Sequence, residues 1–222
     1  MGVKNFQELK KAAENGGPDD WFELGMYYVD QRDVDNIIYW MKKGADIGHV
    51  KSIHKLWPMY KMTGNELECL KVLNTLVNEH KDPLAMLEMG LMFMESGTEA
   101  DGVKPIDLID TAIKVYVQRD GDIVKMSWQH KCQVGTLFAG IKDAGGEHDP
   151  IKLWMATRLL DDVVKNQFDD MKKYTGEEYA NATKEFRDKS INFLGKKISL
   201  LQSSGDYDTF KKTLEAVYAI RI

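Results

Sequence analysis

Apolar residues recur along this chain at steps of three and four, and no region shows sustained alternation of apolar and polar residues. Steps of three and four place apolar side chains on one face of a helix, whereas alternation would indicate a β-strand. Gly, Pro, Asn and Asp interrupt the pattern roughly every 12 to 18 residues, which suits short helices joined by turns. The pattern therefore predicts an all-α fold.

The interruptions divide the predicted helices into consecutive pairs. Turns at residues 33–36 and 63–65, and longer loops at 96–105 and 142–150, each join two apolar helical stretches. After residue 165 the segment 166–178 is polar and contains a predicted turn, a long helix is predicted at 179–201, and a final helix follows the break at 203–205. Short connections between helices favour antiparallel neighbours.

One phrase of the sequence is repeated. Residues 10–17, KKAAENGG, return 32 positions later as residues 42–49, KKGADIGH, and a weaker echo lies at 74–81. Repeats with a period of 20–50 residues are typical of solenoids, in which stacked units bury a shared core. Such arrays usually present a binding surface rather than an enclosed active site.

The repeated segments resemble Sel1-like repeats, which are relatives of the tetratricopeptide repeats. The resemblance rests on Leu24-Gly25 with Tyr28, Met89-Gly90 with Phe93, Val134-Gly135 with Phe138, and Lys43-Gly44-Ala45 followed by Gly48-His49. The markers at Leu24, Leu56, Met89 and Val134 are separated by 32, 33 and 45 residues. Two positions depart from the family pattern: Trp57 replaces the small residue of the second repeat, and the fourth repeat lacks the Trp-Tyr pair.

Period and resemblance together predict an α/α solenoid of antiparallel helix pairs, a Sel1-like or TPR-like superhelix. The predicted segments are an N-terminal capping half-repeat at 1–18, four repeats at 19–50, 51–82, 83–126 and 127–167, and a C-terminal helical cap at 168–222. A separate binding module is the alternative for the last segment. Gly inside a helix costs about 1 kcal/mol against Ala, so Gly25, Gly90 and Gly135 predict close approach of neighbouring helices.

Composition narrows the classes of function. The 222 residues carry a net charge of −5, which does not favour a nucleic-acid partner. Cys69 and Cys132 do not make a disulfide framework, residues 1–8 lack the apolar core of a signal peptide, and the apolar stretch 84–94 is too short to span a bilayer. We therefore expect a cytoplasmic protein with no membrane partner; the oligomeric state stays open.

The sequence contains no motif of a known catalytic site. The five histidines lack the spacing of a metal-binding helix, and no nucleophile elbow, phosphate loop or dinucleotide-binding motif is present. Metal ligands assembled from distant repeats are left open by the sequence. The prediction is a non-enzymatic protein with no catalytic residue, cofactor or metal.

In tetratricopeptide-like superhelices the first helix of each pair lines the concave surface. By helical phase, six residues of these helices are candidates for partner binding: Glu23, Met26, Tyr27, Met59, Met92 and Lys131. Met is adaptable and Tyr is enriched in binding hot spots, although filling of the core is the alternative for each. The predicted function is an adaptor that presents this surface to a protein or peptide. The alternative is an inhibitor or regulatory protein, of phage or host-defence type, that occludes a target with its C-terminal helices.

Overall fold

The computed structural model describes residues 5–97, 102–120, 123, 125–143 and 145–218. Within these residues the chain is helical and contains no β-strand. The helices are α1 (Phe6–Asn15), α2 (Pro18–Gln31), α3 (Val34–Ala45), α4 (Val50–Met62), α5 (Glu66–His80), α6 (Pro83–Ser96), α7 (Pro105–Asp120), α8 (Trp128–Gly140), α9 (Pro150–Asp162), α10 (Phe168–Thr175), α11 (Glu177–Ser204) and α12 (Tyr207–Tyr218). The predicted all-α class is confirmed, and adjacent helices pack in pairs as in an α-helical solenoid.

Short polar side chains begin many of these helices. At α1, the Asn5 side chain accepts a hydrogen bond from the Glu8 backbone N–H, and the Glu8 carboxylate accepts one from the Asn5 N–H. Side chains also cap α3, α5, α6, α8 and α9, from Asp33, Asn65, Asp82, Ser127 and Asp149. Each cap pairs an N–H that the helix leaves free, which stabilises the helix by about 1 kcal/mol.

The chain divides into two compact units, Met1–Leu108 and Ile109–Ile222, and each is described by itself. The division falls inside the third predicted repeat, 83–126. In the first unit each helix from α1 to α6 packs on the next, and α2 also contacts α4. Contact between the first helices of successive pairs is the packing expected of stacked helix pairs.

A buried apolar cluster extends from α3 to α6 in the first unit. Ile37, Met41, Leu56, Leu73 and Leu76 are buried in it, with partly buried side chains of α2 and α6 against them. Trp57, at a position where the resemblance led us to expect a small residue, is also buried in this core. Its helix contains Pro58 and continues to Met62, so the large indole is accommodated by the core without ending the helix.

Two of the predicted close helix approaches are confirmed by the space around glycines. A Cβ on Gly25 of α2 would lie 2.5 Å from Met41 Cε of α3. A Cβ on Gly135 of α8 would lie 2.8 Å from Leu160 Cγ of α9. Both distances are shorter than the 3.5–4.0 Å of ordinary carbon contacts. Gly90 is buried on α6.

In the second unit, α9 lies at the centre of the packing. It contacts α8, α11 and α12, and it continues into a π-helical turn at Val163–Gln167. Helix α10 was not predicted, because residues 166–178 are polar. Its Phe168 and Met171 nevertheless pack in a small core with Cys132 and Val163, and this burial explains why a polar segment is helical.

A polar cluster fixes the C-terminal helix to its unit. The Tyr218 hydroxyl of α12 donates a hydrogen bond to Asp110 Oδ1 of α7 at 3.0 Å, and Lys152 of α9 forms an ion pair with the same carboxylate. Lys114 pairs with Asp110 Oδ2 at 2.9 Å. Burial alone would raise the pKa of Asp110, but the hydrogen bonds and charges of the two lysines outweigh it and lower this pKa. Burial and Asp110 raise the pKa of Tyr218.

Candidate functional site

Five of the six candidate binding residues lie on the first helices of the first unit. Glu23 of α2 is exposed, and Met26 of α2 and Met59 of α4 are partly buried against the core. Met92 of α6 is also partly buried. Tyr27 packs on α1, where its ring lies 5.0 Å from the ring of Phe6 between centroids. The methionines and Tyr27 therefore combine a packing role with partial exposure.

Lys131 is buried, although its helical phase predicted that it would face the binding surface. Its side chain is 1% exposed, and its ammonium donates hydrogen bonds to Asp162 at 2.5 Å and to Gln167 at 3.0 Å. A buried charge needs such partners because its desolvation is costly. Asp162 ends α9 and Gln167 belongs to the π-helical turn, so Lys131 holds this irregular segment on α8 and is not available to a partner.

A groove opens in the first unit where α4 ends, α5 begins and α6 ends. It encloses about 440 Å³ and is lined by Lys61 and Gly64, by Glu66 and Leu70 of α5, and by Met92, Phe93, Glu95 and Ser96. Gly64 has a φ of +71°, in the left-handed region that favours glycine. This conformation lets the chain reverse direction between α4 and α5, as the predicted turn at 63–65 required.

The floor of the groove is apolar and its rim is charged. Leu70, Met92 and Phe93 are half-buried, and Met92 Sδ accepts a weak hydrogen bond from the buried Cys69 thiol at 4.0 Å. The carboxylates of Glu66 and Glu95 are exposed and form no ion pair within the described residues. An open apolar floor with unpaired charges at its rim is typical of a surface that binds another molecule.

Lys61, the positively charged residue among those that line the groove, is paired with a carboxylate of α6. Lys61 Nζ donates a hydrogen bond to Glu88 Oε2 at 2.9 Å, and the Glu88 side chain is only 7% exposed. The ammonium therefore compensates the charge of a nearly buried carboxylate on α6. As a result, the charge that the groove presents to solvent is predominantly negative.

A second polar cluster in this unit consists of Asp19, His49 and Ser52, the residue types of a catalytic triad. His49 Nδ1 lies 2.8 Å from Ser52 Oγ, and His49 Nε2 lies 3.4 Å from Asp19 Oδ1. However, Ser52 is completely buried, and a Cβ on Gly44 would lie 2.4 Å from its hydroxyl oxygen. A nucleophile must come within about 3–3.5 Å of its substrate, and the buried Ser52 hydroxyl is not accessible to one. We therefore interpret this cluster as a structural contact that links the start of α2 to the α3–α4 turn.

Neither cysteine has the surroundings of a reactive thiol. Cys69 and Cys132 are free and buried, and burial raises the pKa of both thiols, that of Cys132 to about 11. Reactive thiols have lowered pKa values and partial exposure. In the part of the chain that the structure describes, no three His, Cys, Asp or Glu side chains are grouped to hold a metal ion, and no helix there is long and apolar enough to cross a bilayer.

Sequence reasoning found Met92 but missed most of the groove. Phe93 entered only as the aromatic residue of a repeat marker, and Lys61, Glu66, Leu70 and Glu95 were not singled out. The residues come from the ends of three helices, so their proximity depends on how the helices stack. The sequence offered no local signal for the groove, because the exposed Leu67 and the buried Leu73 follow the same apolar spacing.

Comparisons with protein-family models, with curated proteins and with solved structures gave no match. The resemblance to Sel1-like repeats therefore rests on the residues of this chain. The fold is that of an all-α protein whose adjacent helices pack in pairs. Its first unit has an open groove at the helix ends.

Proposed function

We propose that this chain is a non-enzymatic adaptor of the Sel1-like type, which binds a protein or peptide on the first helices of its N-terminal unit. The observation that carries the proposal is the groove around Met92, because it is open, has an apolar floor and is formed by the ends of packed helices. A surface formed by folded helices keeps the entropic cost of binding low, and a methionine at the floor adapts to different apolar side chains. Glu23, Met26 and Met59 extend the candidate surface along α2 and α4.

The test is partner capture from an extract of the source cells by the full chain, read by quantitative mass spectrometry. Met92→Ala, alone and together with Tyr27→Ala, should remove a defined partner. Tyr174→Ala is the matched control, because Tyr174 is an aromatic residue that is 74% exposed on α10 of the other unit. Since Tyr27 packs on Phe6, circular dichroism must show that each variant remains folded. Partner recovery that is equal for all variants would reject the groove as the binding site.

The alternative, a regulator that occludes its target through the C-terminal helices, is supported by a different surface. Helix α11 exposes Tyr179, Ile191, Phe193 and Leu200, each at 40% or more. Truncation after residue 167 is a poor test, because it would remove α11 and α12 from α9, on which they pack. Ile191→Asp with Leu200→Asp changes only exposed positions. Loss of the partner with this variant and not with Met92→Ala would favour the regulator.

A further inference from the structure

The groove around Met92 has features that restrict the chemistry of its occupant. Its volume of about 440 Å³ lies in the lower part of the range of about 300–1,000 Å³ found for ligand pockets. Lys61, Gly64, Glu66, Glu95 and Ser96, which form its rim, are all exposed. A small molecule would therefore leave much of its surface in water, whereas a chain could insert one side chain and cover the rim with its neighbours.

Exposed apolar side chains also occur in the helix ends that form the groove. Met62, Leu67 and Met94 are 62%, 65% and 42% exposed, and each is the chain neighbour of a residue that lines the groove. Large exposed apolar side chains near a pocket are typical of interaction sites. Such side chains are available to a peptide segment that extends past the groove, and less so to a small molecule confined to it.

The negative charge at the rim favours a positively charged peptide segment. Glu66 and Glu95 carry carboxylates without an ion pair in the described residues, while the Lys61 ammonium is paired with Glu88 at 2.9 Å. An approaching anion would be repelled by both carboxylates, and this applies to nucleic-acid phosphates and to anionic lipid headgroups as well as to acidic peptides. Lys or Arg beside the inserted residue would instead pair with them.

We propose that the groove binds a basic peptide segment of a protein partner, in which one large apolar side chain enters above Met92 between flanking Lys or Arg residues. This inference rests on the proposed adaptor function and specifies the partner at the same site. Leu70, Met92 and Phe93 contact the apolar side chain, and Glu66 and Glu95 pair with the flanking cations.

The test is selection of random dodecamer peptides displayed on phage against the full chain, followed by affinity measurement with the enriched peptides. We expect enriched sequences to share one Leu, Met or Phe with Lys or Arg within three positions on each side. Their affinity should fall with added salt, since exposed pairs are screened. Met92→Ala should weaken the binding of these peptides.

Reversing the charge of two residues distinguishes binding at the groove from a general effect of net charge. Glu66→Lys with Glu95→Lys should weaken binding about tenfold, as expected from two exposed charge pairs. Glu178→Lys with Glu215→Lys is the matched control, because both residues are exposed in the second unit and the change in net charge is the same. The control should bind as the original chain does.

Three results would overturn the proposal: no enrichment, enrichment of neutral or acidic peptides, or equal weakening by the two reversed pairs. The outcome also distinguishes the proposed basic segment from the proposed adaptor function. Partner capture that depends on Met92 but not on Glu66 and Glu95 would refute the basic segment and leave the adaptor function standing. Capture that is independent of Met92 would refute both.

Discussion

Replacing Gly135 with Ala tests whether α8 and α9 are in the close contact that the repeated glycines predicted. The new Cβ would lie 2.8 Å from Leu160 Cγ, 3.0 Å from Cδ2 and 3.5 Å from Cδ1. Ordinary carbon contacts are about 3.5–4.0 Å, so the first two are too short by at least about half an ångström. Leu160 is 1% exposed and branches at Cγ, so the side chain has little room to move away.

The expected effect is the difference between two opposing contributions. Overpacking of a buried contact costs about 1–3 kcal/mol, while Gly→Ala inside a helix contributes up to about 1 kcal/mol of stability. We therefore expect Gly135→Ala to lower the free energy of unfolding by up to about 2 kcal/mol, and to be less stable by about 1–3 kcal/mol than a Gly→Ala variant without the overpacking. For a domain of about 100 residues, 1 kcal/mol corresponds to a shift of about 4–8 °C in Tm.

Gly195 provides the matched control. It lies inside α11 in the same unit, it is exposed, and a Cβ built on it has no atom within 4 Å outside its own helix. Gly195→Ala should therefore stabilise the unit by up to about 1 kcal/mol. Urea denaturation followed by circular dichroism measures both variants. If Gly135→Ala is as stable as Gly195→Ala, the helices do not approach closely at Gly135 and the reasoning fails.

Three further predictions concern the buried polar groups. Tyr218→Phe should lower the stability of the second unit by about 1 kcal/mol in urea denaturation, because one buried hydrogen bond to Asp110 is lost; an unchanged midpoint would argue against this bond. The lowered pKa of Asp110 contributes stability that is present above its unfolded pKa, near 3.8, and is lost as the pH falls through the folded value. The stability difference between the original chain and Asp110→Asn should therefore be larger at about pH 7 than at about pH 3, and a constant difference would contradict the lowered pKa. Because burial raises their pKa values, Cys69 and Cys132 should react with iodoacetamide only after unfolding, and Met92→Ala should speed the labelling of Cys69 in the folded chain; fast labelling of the original chain would show that the thiols are exposed.

Local signals explain which helix boundaries could be predicted. The capping half-repeat expected at 1–18 contains α1, which begins where Asn5 and Glu8 form a capping box within four residues of sequence. The turn at 63–65 was expected because Gly64 and Asn65 favour turns, and α4 and α5 end and begin beside it. Of the predicted loop at 96–105, residues 98–101 lie outside the described residues.

Features that depend on distant residues could not be predicted. Lys131 has the helical phase of a surface residue, and its pairing with Asp162 and Gln167, more than 30 positions away, stabilises the buried ammonium. Helix α10 is polar in sequence and is helical because Met171 packs beside Cys132, where the two sulfur atoms lie 3.9 Å apart. The groove belongs to the same category, since it exists only where three helix ends meet.

Site-specific photo-crosslinking in the source cells tests the protein-binding groove most directly. Benzoylphenylalanine would replace Leu67, which is exposed beside the groove residue Glu66, and in a separate variant Leu200, which is exposed on α11. We expect a discrete protein adduct from position 67, with a yield that falls when Met92→Ala is added, and none of that adduct from position 200. An adduct from position 200 alone, or a yield at position 67 that Met92→Ala does not change, would contradict a partner in the groove.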